Sequence, residues 1–246
     1  MATAQPGCVL LINNLDESVT VDDLFTLFGV YAEVHRIKKL YNRPEVALIQ
    51  FKDAQHASVA RMYLDKIPVR GKPIAVTTSK HTEVKMPRPG GPGYGSGATV
   101  QRDGSVLDYD PAQPLLTKDF VNAPGQRHRK SYDTNRMAPP CAVLHVANIT
   151  PGTTIDQVRE LFGTVGTVLG AEFFRTSEKM AIVEYDSMAG AMEGLLQLNF
   201  TKSFGGKSPI YVSFTKLTRR APAAEAGDNA ADANGADAAA AAADAE

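Results

Sequence analysis

Residues 141–149, CAVLHVANI, nearly repeat residues 7–15, GCVLLINNL, with His145 where the earlier copy carries Leu11. The register extends outward from this pair without a gap. At one offset of 134 residues, Asn148 meets Asn14, Leu161-Phe162-Gly163 meets Leu27-Phe28-Gly29, Val168 meets Val34 and Ala181 meets Ala47. After a loop two residues longer in the second copy, PIYV at 209–212 answers PIAV at 73–76. The chain is a tandem duplication of a unit of about 75 residues.

Within each unit the hydrophobic period changes from two to 3.6 and back, which fixes the order of elements. The first strand covers 8–15. A helix over 20–29 opens at Thr20 or Val21-Asp22 and puts Leu24, Leu27 and Phe28 on one face. Strands at 34–41 and 46–52, a helix at 54–65 using Ala57, Ala60 and Leu64, and a strand at 73–79 complete the unit. The second unit repeats β-α-β-β-α-β over 142–216. The fold class is α+β: two ferredoxin-like units, each an antiparallel sheet backed by two helices, with the other sheet face open.

Composition divides the rest of the chain. Residues 1–7 read as a flexible N-terminus, 8–86 as the first domain, 87–139 as a Gly/Pro-rich linker containing PRPGGPGYGSG, 140–218 as the second domain, and 219–246 as a disordered acidic Ala/Asp tail. The net charge of −1 hides an asymmetry. Glu225, Asp228, Asp232, Asp237, Asp244 and Glu246 give residues 221–246 a charge of −6 with no basic residue, so residues 1–220 carry +5. A mildly basic body suits a phosphate-bearing partner.

Several classes are excluded. No apolar run approaches the roughly 18 residues of a membrane span, and MATAQPG has no secretory character, so the expected location is the nucleus, the cytoplasm or both. Cys8 and Cys141 begin the same strand of the two copies and read as reduced strand residues, not as a disulfide or metal site. There is no GxGxxG register, HExxH, CxxC, nucleophile elbow or paired carboxylate. The expectation is a binding protein without cofactor or metal, and not an enzyme.

Each unit carries a strand hexamer, LLINNL at 10–15 or LHVANI at 144–149, and an octamer, PEVALIQF at 44–51 or EKMAIVEY at 178–185. These resemble the two signature strands of the RNA recognition motif. Ala47, Ile49 and Phe51, like Ala181, Val183 and Tyr185, should face the helices. On the open face, where that family usually places base-stacking aromatics, the units hold Leu11, Val46 and Leu48, or His145, Met180 and Ile182. An imidazole there keeps a flat ring and a hydrogen-bonding edge that leucine lacks.

The runs LFGVYAEVHRIKKLYN (27–42), GKPIAVTTSKH (71–81), LLTKDF (115–120) and AVLHVANI (142–149) further resemble the last two motifs of the polypyrimidine tract-binding protein family. That resemblance covers about 8–87 and 114–218. It implies a protein that binds single-stranded pyrimidine-rich RNA in mRNA processing, such as splicing or stability control. The first RNA surface it implies comprises Leu11, Asn13, Lys38, Leu40, Tyr41, Val46, Leu48, Gln50, Thr77, Ser79, Lys80 and His81. The second comprises His145, Phe174, Met180, Ile182, Tyr211, Ser213 and Lys216, with Glu172 where the family has a lysine. It also implies a fifth strand at 81–87, beside the second. A degenerate pair acting as a protein-interaction scaffold is the alternative.

The last helix carries two apolar stripes. Ala191, Leu195 and Leu198 should face the sheet, while Met188, Met192 and Leu196 lie beyond what one sheet covers. The resemblance implies that this second stripe packs the two motifs helix to helix, with Phe25 as a partner. The chain is otherwise expected to be monomeric, with its helical faces available to protein partners.

Overall fold

The structure, a computed structural model, describes residues 6–40, 42–85, 99–100, 106–107, 116–128, 134, 137–174 and 176–217. The expectations for residues 1–5, for Tyr41, for the remaining linker stretches and for the tail from 218 onward lie outside these residues.

The first unit runs β1 (Val9–Asn13), α1 (Val21–Gly29), β2 (Val34–Leu40), β3 (Arg43–Phe51), α2 (Ala54–Leu64) and β4 (Ala75–Thr78), with a small hairpin pairing Pro68–Val69 and Lys72–Pro73 before β4. It is completed from the linker by β5 (Thr117–Asp119). The second unit runs β6 (Val143–Ala147), α3 (Ile155–Gly163), β7 (Val168–Phe174), β8 (Ser177–Tyr185), α4 (Met188–Leu198) and β9 (Tyr211–Phe214). A further hairpin joins Thr99–Val100 to Val106–Leu107.

Both units start their first helix in the same way. The Thr20 hydroxyl accepts from the Asp23 N–H while the Asp23 carboxylate accepts from the Thr20 N–H, and Thr154 and Gln157 repeat the box. Each box satisfies two orphan donors, an arrangement in which the N-cap alone is typically worth about 1 kcal/mol.

The sheets are antiparallel in the orders β4-β1-β3-β2-β5 and β7-β8-β6-β9. Strand alternation sends Leu10, Ile12, Ala47, Ile49 and Phe51 inward against Leu24, Leu27, Phe28, Ala57, Ala60 and Leu64. The second core repeats this with Leu144, Val146, Ala181, Val183 and Tyr185 against Val158, Phe162, Ala191, Leu195 and Leu198.

The fifth strand is a correction to the sequence reading. Residues 81–85 form no strand; Thr117–Asp119 pairs with β2 instead. The Lys39 N–H donates to the Leu116 carbonyl at 2.6 Å and the Phe120 N–H to the His35 carbonyl at 2.7 Å. Arg36 Nε meets Asp119 at 3.0 Å and Lys118 Nζ meets Asp22 on α1 at 2.7 Å, so both faces of the short strand are anchored. Residues 82–84 cross the open sheet face. The Val84 N–H donates to Gln50 Oε1 at 2.9 Å, Arg36 donates to the Val84 carbonyl and pairs with Glu83, and the Cys8 thiol donates to the Thr82 carbonyl. Backbone groups held by side chains in this way cannot also form a ladder with β2.

The reading of 87–139 as a flexible linker is corrected for part of its length. Phe120 is 1% exposed and stacks on Phe25, with ring centroids 4.3 Å apart and planes 4° from parallel. The Gln126 amide donates to the Phe120 and Val34 carbonyls, the His128 ring to the Val30 carbonyl, and the Tyr31 hydroxyl to the Ala138 carbonyl. These residues are built into the seam between the units.

At that seam α1 packs against α4. Met192 is 1% exposed and Leu196 8%, both in one apolar core continuous across the two units, whereas Met188 is half-buried. Arg70, in the turn of the small hairpin, reaches Asp23 at 3.3 Å and Glu193 of α4 at 3.5 Å. Because contact is made through the helical backs, the two outer sheet faces point away from each other.

Candidate nucleic-acid interface

Strand pairing in the first unit aligns one row of side chains across all five strands: Thr77, Leu11, Leu48, Lys38 and Thr117. Leu11, Leu48 and Lys38 are half-buried, which leaves an apolar strip with a hydroxyl at one end and an ammonium toward the other. The Thr77 hydroxyl donates to the Leu11 carbonyl at 3.3 Å and keeps its lone pairs for a ligand donor. Beyond β4, Ser79 Oγ accepts from the His81 N–H, and Lys80 and His81 are exposed at the rim.

Two residues expected on this surface are not presented by it. Val46 is 1% exposed: it sits on the central strand one residue from Ala47, which pairs with both Ile12 and Lys39, so a short branched side chain there is shielded from both sides. Gln50 is 8% exposed and its amide oxygen is taken by Val84. Val84 forms a small apolar cluster with Cys8, Val9 and Leu48 and so roofs one end of the face. Asn13 and Leu40, both half-buried, extend the open end.

In the second unit His145 on β6 pairs with Ser213 on β9 and Ile182 on β8, and Ile182 pairs with Glu172 on β7. Phe174 meets the imidazole edge to face, 5.3 Å between centroids at 85°, so the two rings stand as a corner on the sheet. Burial, followed by the charge of Arg127, holds the His145 pKa below its ordinary value. At neutral pH the ring is uncharged and offers one donor and one acceptor. Ile182 and Ser213 are each 6% exposed and serve as the floor beneath that corner, not as exposed contacts. Met180 and Tyr211 pair with Ala147 on either side, half-buried, and Tyr211 lies 5.7 Å from Phe200. Lys216 is exposed just beyond β9.

Sequence reasoning missed Thr117, which the pairing of β5 adds to the first row as a buried residue at its edge, and Arg127, whose guanidinium reaches the second sheet by donating to the Val212 carbonyl at 3.5 Å. The signals were present: LLTKDF stood out as a family-like run, and QRHRK at 126–130 is a basic cluster in a segment otherwise rich in turn formers.

A family model described as RNA recognition motif, also known as RRM, RBD or RNP domain, matches residues 1–101, and a second RNA recognition motif model matches 144–209. Polypyrimidine tract-binding protein homolog 3 of Arabidopsis thaliana is 28% identical over 214 residues, covering 85% of this chain and 43% of that protein. Heterogeneous nuclear ribonucleoprotein L of Mus musculus is 27% identical over 199 residues, covering 78% of this chain and 31% of that protein. The chain therefore spans less than half the length of either relative.

Proposed function

Since the chain belongs to the RNA recognition motif family, as a tandem pair similar to polypyrimidine tract-binding proteins, we propose that it binds single-stranded pyrimidine-rich RNA and acts in mRNA processing. Membership in that family makes it an RNA-binding protein and not an enzyme. The finer reading rests on one observation: each open face is a strip of largely apolar side chains carrying a few hydrogen-bonding groups, Thr77 and Ser79 on one sheet and His145 and Tyr211 on the other. Single-ring bases fit such a strip, and their edges can be read by hydroxyl and imidazole groups. The two homologues, one named for polypyrimidine tracts and one a heterogeneous nuclear ribonucleoprotein, support the RNA reading; the proposal extends it to control of splicing or stability, in the nucleus, the cytoplasm or both.

With few stacking rings per face, each motif should bind in the micromolar range, roughly −8 kcal/mol. Two motifs on one strand gain by effective concentration. Titration of short U/C-rich and A-rich single strands and of a matched duplex, at stated salt, tests the proposal. Tighter binding of the U/C strand is expected. Equal affinity for all three would overturn it.

A further inference from the structure

Among the described residues, the outer face of the second sheet holds Glu172 on β7, and Lys216 stands exposed beyond the end of β9. A cation nevertheless reaches this sheet from the segment between the motifs. Arg127 donates to the carbonyl of Val212 on the free edge of β9, between Tyr211 and Ser213, whose side chains belong to the outer face. Its charge is felt at the His145 ring. Arg127, Tyr211, Val212 and Asn199 line a small hollow together with Phe25 and Val30 of the first unit.

The position of Arg127 is held from both sides. Gln126 and His128 are tied by side-chain hydrogen bonds to carbonyls of the first unit. Gly125, at φ +91°, lies against the Phe200 ring, where a Cβ would come within 3.3 Å of it. No carboxylate pairs with Arg127 among the described residues, and the residue is exposed, although the protein packed around its guanidinium lowers its pKa. One long hydrogen bond to a carbonyl engages one of its five N–H groups. The remaining donors are arranged in the planar fork that matches a phosphate.

We propose that Arg127 is a phosphate-contacting residue of the second RNA site, so that this site is composite, its sheet supplied by the second motif and its cation by the inter-motif segment. The inference rests on the RNA-binding reading above. The first motif provides the backbone carbonyls that fix the segment, and so contributes to binding at a face it does not touch.

The test uses the full chain, a short U/C-rich RNA, a series of salt concentrations and amide shifts to follow each motif separately. Arg127→Gln is expected to weaken binding at the second motif about tenfold and to make its log K against log[salt] slope shallower by about 0.7, the value of one single-strand phosphate contact. Binding at the first motif should be unchanged, and Arg127→Lys should restore the slope. An unaltered second-motif affinity in Arg127→Gln overturns the proposal. So does a weaker affinity with an unaltered slope, which is the signature of a purely positional tie. If the unmutated chain binds no RNA at all, it is the functional reading that fails.

Discussion

The hydroxyl of Tyr185 occupies the space that a Cβ on Gly194 would need: such an atom would lie 2.6 Å from the oxygen. That hydroxyl donates to the Phe162 carbonyl at 2.9 Å. The first unit has Phe51 and Ala60 at the equivalent positions, a ring without the oxygen and a helix residue with the methyl. At this pair of positions the duplicated cores are related by a compensated exchange. Gly194→Ala should destabilise the second unit by about 1–3 kcal/mol through overpacking. Adding Tyr185→Phe should recover most of that loss, a coupling that a double-mutant cycle by thermal or urea unfolding measures. Strictly additive effects would contradict this packing.

Phe120 secures β5 by stacking on Phe25. Phe120→Ala should cost about 3–5 kcal/mol, the usual range for a buried aromatic, and should release the strand from β2. Hydrogen exchange will report it: the amides of Lys39 and Phe120, which bond across that junction, should lose protection before those of β1 and β3.

Gln50 spends its amide oxygen on the Val84 N–H. Gln50→Ala should cost about 1–2 kcal/mol by leaving that buried donor unpaired and should raise exchange at Val84. It should leave the discrimination between U/C-rich and A-rich RNA unchanged. A lost preference would return Gln50 to the RNA-contacting set.

His145→Ala should weaken RNA binding at the second motif by up to about 1–3 kcal/mol, the worth of one stacked base, with a small shift in melting temperature because the ring is on the outer face. A mutant that melts far earlier would place the ring in the core.

The pH dependence follows from the same residue and from His35, whose pKa burial also lowers against the opposing pull of Glu33. Above the unfolded value of about 6.5 both rings are neutral in both states and their contribution to stability is fully present. As pH falls below it the unfolded chain takes up protons first, so stability declines toward the depressed folded values. Denaturation midpoints should drop between pH 7.5 and 5.5, and His145→Gln should flatten that drop. An identical slope in the mutant would mean that the imidazole titrates freely.

Mutating Met188→Glu together with Met192→Glu should separate the motifs while each stays folded, since Met192 is buried in the α1–α4 contact. NMR relaxation should then show two correlation times in place of one.

The element order was legible because Leu24, Leu27 and Phe28 or Ala47, Ile49 and Phe51 recur at the period their element imposes, and a duplicated pattern states it twice. Strand alternation likewise placed Leu11 and His145 on the outer faces. It could not reveal that Val46 is shielded by the strands on either side of β3, which depends on tertiary pairing, or that Gln50 is claimed by Val84, which depends on a segment beyond β4. The fifth strand was misplaced for a related reason. TEVKMP and LTKD both alternate acceptably, and what decides between them is the anchoring of Thr117–Asp119 by Phe120, Lys118 and Arg36, contacts between residues some 80 to 100 positions apart.

The late origin of β5 also sets a schedule for synthesis. At roughly 5–20 residues per second, the ribosome takes about 2–8 s to make residues 79–116 after β4 is complete. During that interval β2 has a bare edge and Phe25 has no ring to cover it. An unpaired edge beside an uncovered aromatic is a template for a strand from another chain. Two nascent copies on one polysome could therefore exchange their Thr117–Asp119 strands, and how quickly the segment that follows Gly/Pro-rich residues 87–97 docks determines whether each copy closes on itself.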